Sequence, residues 1–137
     1  MPALTGVHHV SLTVTDVDRS VPWYERVLGF TEFERVDGGE GALRKVLLRG
    51  PGIGIVLALV QHPVSDRVGF DESHPGLDHL SFSVPDEKSL DDWAERLTEH
   101  GVTFSPVTAE HTSTGAAVVV FRDPDGIQLE LWAAAPS

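Results

Sequence analysis

Residues 76–84 read GLDHLSFSV, and residues 6–14 read GVHHVSLTV. Glycine, histidine, serine and valine occupy the same places in both stretches, which lie 70 residues apart. The likeness continues beyond these stretches, so the chain is predicted to consist of two copies of one structural module. The further residues that recur at this spacing are Asp16 and Asp86, Trp23 and Trp93, Glu25 and Glu95, and Arg26 and Arg96.

A second matching block lies at a slightly larger spacing. Residues 49–51, RGP, correspond to residues 122–124, RDP, which lie 73 residues later. Extended to the last strand of each copy, this spacing aligns Leu57 with Glu130. We therefore predict a single domain over residues 1–137, in which module one covers about 6–63 and module two about 76–136.

Each module is predicted to contain a strand, a helix and three further strands, which makes the fold class α+β. Apolar and polar residues alternate over 7–14, a pattern typical of a β-strand, in which His8 and His9 face opposite ways. Each predicted helix ends at a glycine. The predicted helices cover about 16–28 and 87–100, and the other predicted strands cover about 31–36, 43–49, 53–61, 77–84, 102–108, 115–122 and 127–133.

The composition excludes several classes of function. The chain has no cysteine, so a disulfide framework, a thiol nucleophile and a thiolate-bound metal are impossible. A net charge of −11 argues against nucleic acid and anionic membrane surfaces as partners. The chain shows neither an apolar run of membrane-spanning length nor a signal-peptide pattern, so we expect a cytoplasmic protein that acts on a small molecule.

Three residues form a candidate metal site. His9 and His79 are repeat equivalents on the first strand of each module, and Glu130 lies between two leucines on the last strand. A carboxylate on a buried face is costly unless it is paired or binds a metal. Two modules related by a pseudo-twofold axis would bring these side chains together as two nitrogens and one oxygen with open positions. Taken singly, each is more typical of an ordinary core or surface residue, and only the repeat favours a metal.

Four motifs extend this interpretation: HVSL at 9–12, WYERVLGF at 23–30, HLSF at 79–82 and DPDGIQLE at 123–130. Together they resemble the vicinal oxygen chelate superfamily, and the resemblance covers nearly the whole chain. That superfamily includes glyoxalase I, methylmalonyl-CoA epimerase, fosfomycin-resistance proteins, extradiol dioxygenases and bleomycin-binding proteins. The resemblance implies paired β-α-β-β-β modules that curl into a half-barrel around a divalent metal. In this chain the ligand positions are His9, His79 and Glu130.

Departures from the family pattern restrict the reaction. Four-ligand members such as glyoxalase I have Glu or Gln in the first module at the place of Glu130, where the 73-residue spacing puts Leu57. A shift of the alignment by one or two residues gives Ala58 or Leu59, and neither can bind a metal or accept a proton. Glyoxalase I activity itself is therefore disfavoured. Fosfomycin-resistance members also use basic residues from a C-terminal extension, and residues 131–137 contain none.

The resemblance to extradiol dioxygenases names a candidate catalytic residue. Their signature has a second histidine 19 residues before the glutamate ligand, and His111 has this spacing from Glu130. It also has a tyrosine ten residues before the glutamate, where this chain has Val120. Half of the signature is therefore missing, and His111 equally fits an ordinary polar loop.

Two classes of function remain open. The first is a glyoxalase-like enzyme whose divalent metal (Zn, Ni, Mn, Co or Fe) acts as a Lewis acid on a substrate with adjacent oxygens, in lyase, isomerase or dioxygenase chemistry. Its pocket is expected to be lined by Leu57, Phe82 and Phe121. The second is a metal-free, bleomycin-resistance-type binding protein, since the net charge of −11 suits a cationic ligand. A homodimer is expected in both cases, because sheet edges are usually covered by pairing.

Overall fold

The structure is a computed structural model and describes residues 1–63, 69–110 and 114–136. The chain divides into two compact units, Met1–Val68 and Gly69–Ser137. In the described residues, each unit contains one helix and one four-stranded sheet in β-α-β-β-β order. The predicted α+β fold class is thereby confirmed. None of the helices in these ranges has the length and apolar content needed to cross a membrane.

The first unit has the strand order β1-β4-β3-β2, with β1 parallel to β4 and the other pairs antiparallel. Its helix begins after Asp16, whose carboxylate accepts the N–H of Asp18, and ends at Gly29 in the left-handed conformation (φ 77°). These two ends follow the capping residues that the sequence offers. The elements are β1 (His9–Thr13), α1 (Val17–Leu28), β2 (Thr31–Asp37), β3 (Arg44–Arg49) and β4 (Val56–Gln61).

The second unit repeats this plan with the strand order β5-β8-β7-β6. The strand predicted over 102–108 is wrong in extent: β6 is two residues long, and Phe104 makes only an isolated bridge to Phe121. Pro106 lies between the bridge and β6, and it has no N–H to donate to a neighbouring strand. The elements are β5 (Leu80–Val84), α2 (Glu87–Glu99), β6 (Thr108–Ala109), β7 (Ala117–Arg122) and β8 (Gln128–Ala133).

Side chains of β8 alternate between two different environments. Leu129 and Leu131 are fully buried on the face that packs with α2, and Glu130 lies on the opposite face. Phe82 is the register partner of Leu131, and Phe121 is the partner of Leu129. Both phenylalanines therefore lie on the helix-covered face, and the expectation that they line a pocket beside Glu130 is wrong.

The strand register also corrects the repeat equivalent of Glu130. Ser81 pairs with Glu130, and its counterpart Ser11 pairs with Ala58, so the equivalent position is Ala58 and not Leu57. The β3–β4 connection is one residue longer than the β7–β8 connection, which reduces the spacing from 73 to 72 residues. Leu57 is buried on the other face of its sheet and cannot line a pocket beside the histidine of β1. Alanine likewise offers no ligand at this position.

Candidate metal centre

The second unit brings two of the three predicted ligands together. His79 immediately precedes β5, and Glu130 lies on the neighbouring strand β8. His79 Nε2 is 3.8 Å from Glu130 Oε1, and the side chains are 39% and 13% exposed. The hydroxyl of Ser81 donates a hydrogen bond of 2.8 Å to the same carboxylate oxygen. A largely covered carboxylate is thus held beside an accessible imidazole nitrogen.

A polar network holds the other side of the His79 ring. His79 Nδ1 is 2.6 Å from Asp78 Oδ1, and the side-chain amide of Gln128 donates to this carboxylate at 3.2 Å. Gln128 in turn accepts a hydrogen bond of 3.2 Å from Arg122, which donates two more to Glu72 at 2.8 and 3.1 Å. The hydrogen bond from Arg122 holds the pKa of Glu72 below its usual value, and Glu72 raises the pKa of Arg122.

In the first unit the third predicted ligand contacts an unexpected neighbour. His9 begins β1, and its Nδ1 atom is 2.9 Å from Nδ1 of His8, with the two rings edge to face. The prediction that His8 faces away from His9 is therefore wrong. Strand alternation does not apply to His8, because it precedes the first residue of the strand.

The donor atoms of the second unit fit a divalent metal. Two bonds of about 2.0–2.2 Å to one ion allow donor atoms to lie as much as about 4 Å apart, and His79 Nε2 and Glu130 Oε1 are 3.8 Å apart. An imidazole and a carboxylate suit Zn, Mn, Fe, Co or Ni alike. Among the described residues, no group of three or more His, Asp or Glu side chains forms a complete metal-binding cluster. His9 belongs to the other unit, and the predicted catalytic residue His111 lies outside the described residues.

Sequence reasoning did not find the residues that contact the ligands. Ser81 recurs with Ser11 in the repeat, and its place two residues after His79 puts it beside Glu130 across the parallel pair. Gln128 precedes Glu130 by two residues and therefore shares its face of the sheet. These signals were present in the alternation of the two strands. The contact of Asp78 had no such signal, because this residue lies outside β5.

Comparison with known proteins agrees with this arrangement of strands. The family model of the Glyoxalase/Bleomycin resistance protein/Dioxygenase superfamily matches residues 6–131. The chain belongs to this superfamily. A solved glyoxylase/bleomycin resistance protein/dioxygenase domain from Frankia sp. EAN1pec superposes with a TM-score of 0.84 at 39% identity, covering 96% of this chain and 99% of that one. The resemblance noted in the sequence is thereby confirmed.

Relatives within the superfamily have different activities. The metallothiol transferase FosB of Shouchella clausii is 31% identical, and the match covers 93% of this chain and 80% of that protein. Catechol-2,3-dioxygenase of Bacillus subtilis is 30% identical over 96% of this chain, but this chain spans only 42% of its length. Membership of the superfamily therefore establishes the fold and leaves the reaction open.

Proposed function

We propose that the protein is a divalent-metal-dependent enzyme that acts on a small molecule with adjacent oxygens. His9, His79 and Glu130 would hold the metal. The observation that supports this most directly is the approach of His79 Nε2 to Glu130 Oε1, at 3.8 Å, on the sheet face that α2 leaves uncovered. Ser81 fixes the carboxylate there with a hydrogen bond of 2.8 Å. Family membership supports the same ligand set in residue type and position.

The residues of this chain restrict which chemistry the metal can assist. A bound divalent ion would supply a Lewis acid that polarises a substrate oxygen. Ala58 occupies the place where a four-ligand member has Glu or Gln, so the first module provides no carboxylate base there. The proposed reactions are therefore lyase, isomerase or dioxygenase reactions that do not need this base. In a dioxygenase, we propose His111 as the catalytic residue, from its spacing to Glu130.

A second candidate function is a metal-free binding protein of the bleomycin-resistance type. The net charge of −11 and a pI near 4.8 favour a cationic ligand. Binding of bleomycin by metal-stripped protein would support this function. Under either function we propose a homodimer, because each four-stranded sheet ends in strands that pair on one side only. A mass measurement in solution tests the dimer.

The metal content of the purified protein tests the main proposal. Protein made without a histidine tag or chelator should contain close to one divalent ion per chain. His79→Ala and Glu130→Ala should each lose it, as should His9→Ala. Exposed histidines in the connecting segment provide matched controls, and His62→Ala and His74→Ala should keep the metal.

The outcome also separates the candidate reactions. Iron would favour dioxygenase chemistry, whereas zinc, nickel, manganese or cobalt would favour Lewis-acid chemistry without oxygen. Protein that binds none of these ions after reloading, or variants that keep the ion, would contradict the proposal. In that case the metal-free binding function becomes the better explanation.

A further inference from the structure

Each of the two ligand histidines is contacted at Nδ1 by the residue that precedes it. Asp78 Oδ1 is 2.6 Å from Nδ1 of His79, and His8 Nδ1 is 2.9 Å from Nδ1 of His9. The two preceding residues are equivalent in the repeat, so one contact is made twice with different chemical groups. We propose that Asp78 and His8 are positioning residues that accept the Nδ1 hydrogen and leave Nε2 of each histidine free for the metal. This inference rests on the proposed function.

The chemistry of the carboxylate fixes the tautomer of His79. An ionised carboxylate has no hydrogen to donate, so the short contact requires Nδ1–H of His79 to donate to Asp78. The neutral ring then has its lone pair on Nε2. Nε2 is the atom that faces Glu130 at 3.8 Å. The nitrogen able to bind a metal and the second donor of the candidate site therefore lie on the same side of the ring.

Asp78 is itself held in place by a directed chain of hydrogen bonds. Gln128 donates its amide N–H to Asp78 Oδ1 at 3.2 Å and accepts from Arg122 at 3.2 Å. Both bonds require the same orientation of the amide, so they reinforce each other. Arg122 is anchored by its two bonds to Glu72. Outer residues that orient a ligand histidine in this way commonly alter metal affinity by about 10–100-fold.

The contact in the first unit is chemically weaker. Two neutral imidazoles share a single hydrogen between their Nδ1 atoms, and only donation by His9 leaves the lone pair on His9 Nε2. A neutral imidazole is a poorer acceptor than a carboxylate, because charge-assisted hydrogen bonds are about twice as strong. Loss of the side chain at position 78 should therefore weaken metal binding more than its loss at position 8.

The tautomers can be measured without any metal. Long-range ¹H–¹⁵N NMR spectra of the metal-free wild type should show His79 with a protonated Nδ1 and an unprotonated Nε2. Asp78→Ala should shift this signal towards a mixture of tautomers, and Asp78→Asn should shift it less, because its amide oxygen still accepts a hydrogen bond. Asp71→Ala is the matched control: Asp71 also lies beside a histidine, with 3.6 Å between Oδ2 and His74 Nε2, and it is not part of the network around Asp78.

Titration with cobalt(II) gives the second measurement. The dissociation constant should rise about 10–100-fold in Asp78→Ala, by less in His8→Ala, and not at all in Asp71→Ala. His8→Asp, which gives the first unit the acceptor of the second, should bind at least as tightly as the wild type. Folding is not expected to interfere, because the Asp78 side chain is 67% exposed, and thermal melts of each variant check this.

Three results would count against these ideas in distinguishable ways. Wild-type protein that binds no cobalt would remove the proposed function and, with it, the ligand role of His79. Tight binding by the wild type together with unchanged binding and an unchanged His79 tautomer in Asp78→Ala would overturn the positioning role alone. A weakened affinity with an unchanged tautomer would also overturn it, because the carboxylate would then act only through its charge.

Discussion

Replacing Glu130 with glutamine should remove most of the stabilisation that a divalent metal gives to the fold. Glutamine has nearly the same volume and keeps an oxygen that can accept the 2.8 Å hydrogen bond from Ser81. It loses the negative charge and the anionic ligand atom beside His79 Nε2. The metal-free variant should therefore fold as well as the wild type, and the difference should emerge only when metal is added.

The size of the effect follows from binding linkage and chain length. A metal at 100 times its dissociation constant stabilises the folded state by about 2.7 kcal/mol. For 137 residues the entropy of unfolding is about 0.29 kcal/mol/K, so the midpoint of thermal unfolding should rise by about 9 °C. If the substitution raises the dissociation constant by about 100-fold, the same metal concentration gives about 0.4 kcal/mol, or about 1.5 °C.

Thermal unfolding of chelator-treated protein, with and without added metal, measures both numbers. Glu95→Gln on α2 is the control, since it makes the same change of charge at an exposed position outside the site. It should retain the full metal-dependent rise. An equal rise in Glu130→Gln and in the wild type would show that Glu130 is not a ligand. A fall in the metal-free midpoint of Glu130→Gln would show instead that the carboxylate stabilises the fold itself.

Three further predictions concern the two modules. Ser20 is fully buried in α1 and its hydroxyl has no hydrogen-bonding partner among the described residues, so Ser20→Ala should raise the free energy of unfolding in urea by about 1 kcal/mol; a loss would mean that the hydroxyl is satisfied. Hydrogen bonds from the hydroxyl and N–H of Ser89 lower the pKa of Asp86 from 3.8, so the stability advantage of wild type over Asp86→Ala should be full above that pH and decline as the pH falls through the lowered pKa, as urea unfolding at several pH values would show. Ala58→Glu should lower the thermal midpoint of metal-free protein, because Ala58 is fully buried, and added metal should restore part of the loss; no recovery would argue against a ligand at this place.

The fold was largely predictable because the chain states its plan twice. The recurrence around His9 and His79 predicted the order of the elements, and the capping residues located the ends of α1. Only the strand over 102–108 was overextended, because Pro106 interrupts a segment whose composition otherwise favours a strand. Periodicity describes the faces of regular elements well, and it fails where a single residue cannot join the sheet.

The site was predictable in its ligands and not in their surroundings. Residue type, repeat position and family resemblance selected His79 and Glu130, and the structure places them together. The repeat spacing was measured before the β3–β4 connection and applied beyond it, so one extra residue moved the equivalence from Ala58 to Leu57. In a strand, a shift of one residue moves a side chain to the other face, so a small error in loop length became an error of environment.

The two modules have kept the same histidine and have diverged in the charge placed around it. The second module has Glu130 on the sheet and Asp78 against the imidazole, whereas the first has Ala58 and His8 at the equivalent positions. A divalent ion held by two neutral imidazoles and one carboxylate would retain a net charge of about +1. A member with a second carboxylate ligand would have a neutral centre. The proposed ligand set therefore favours a substrate that binds through a deprotonated oxygen, and it gives the substrate, rather than the first module, the task of neutralising the metal.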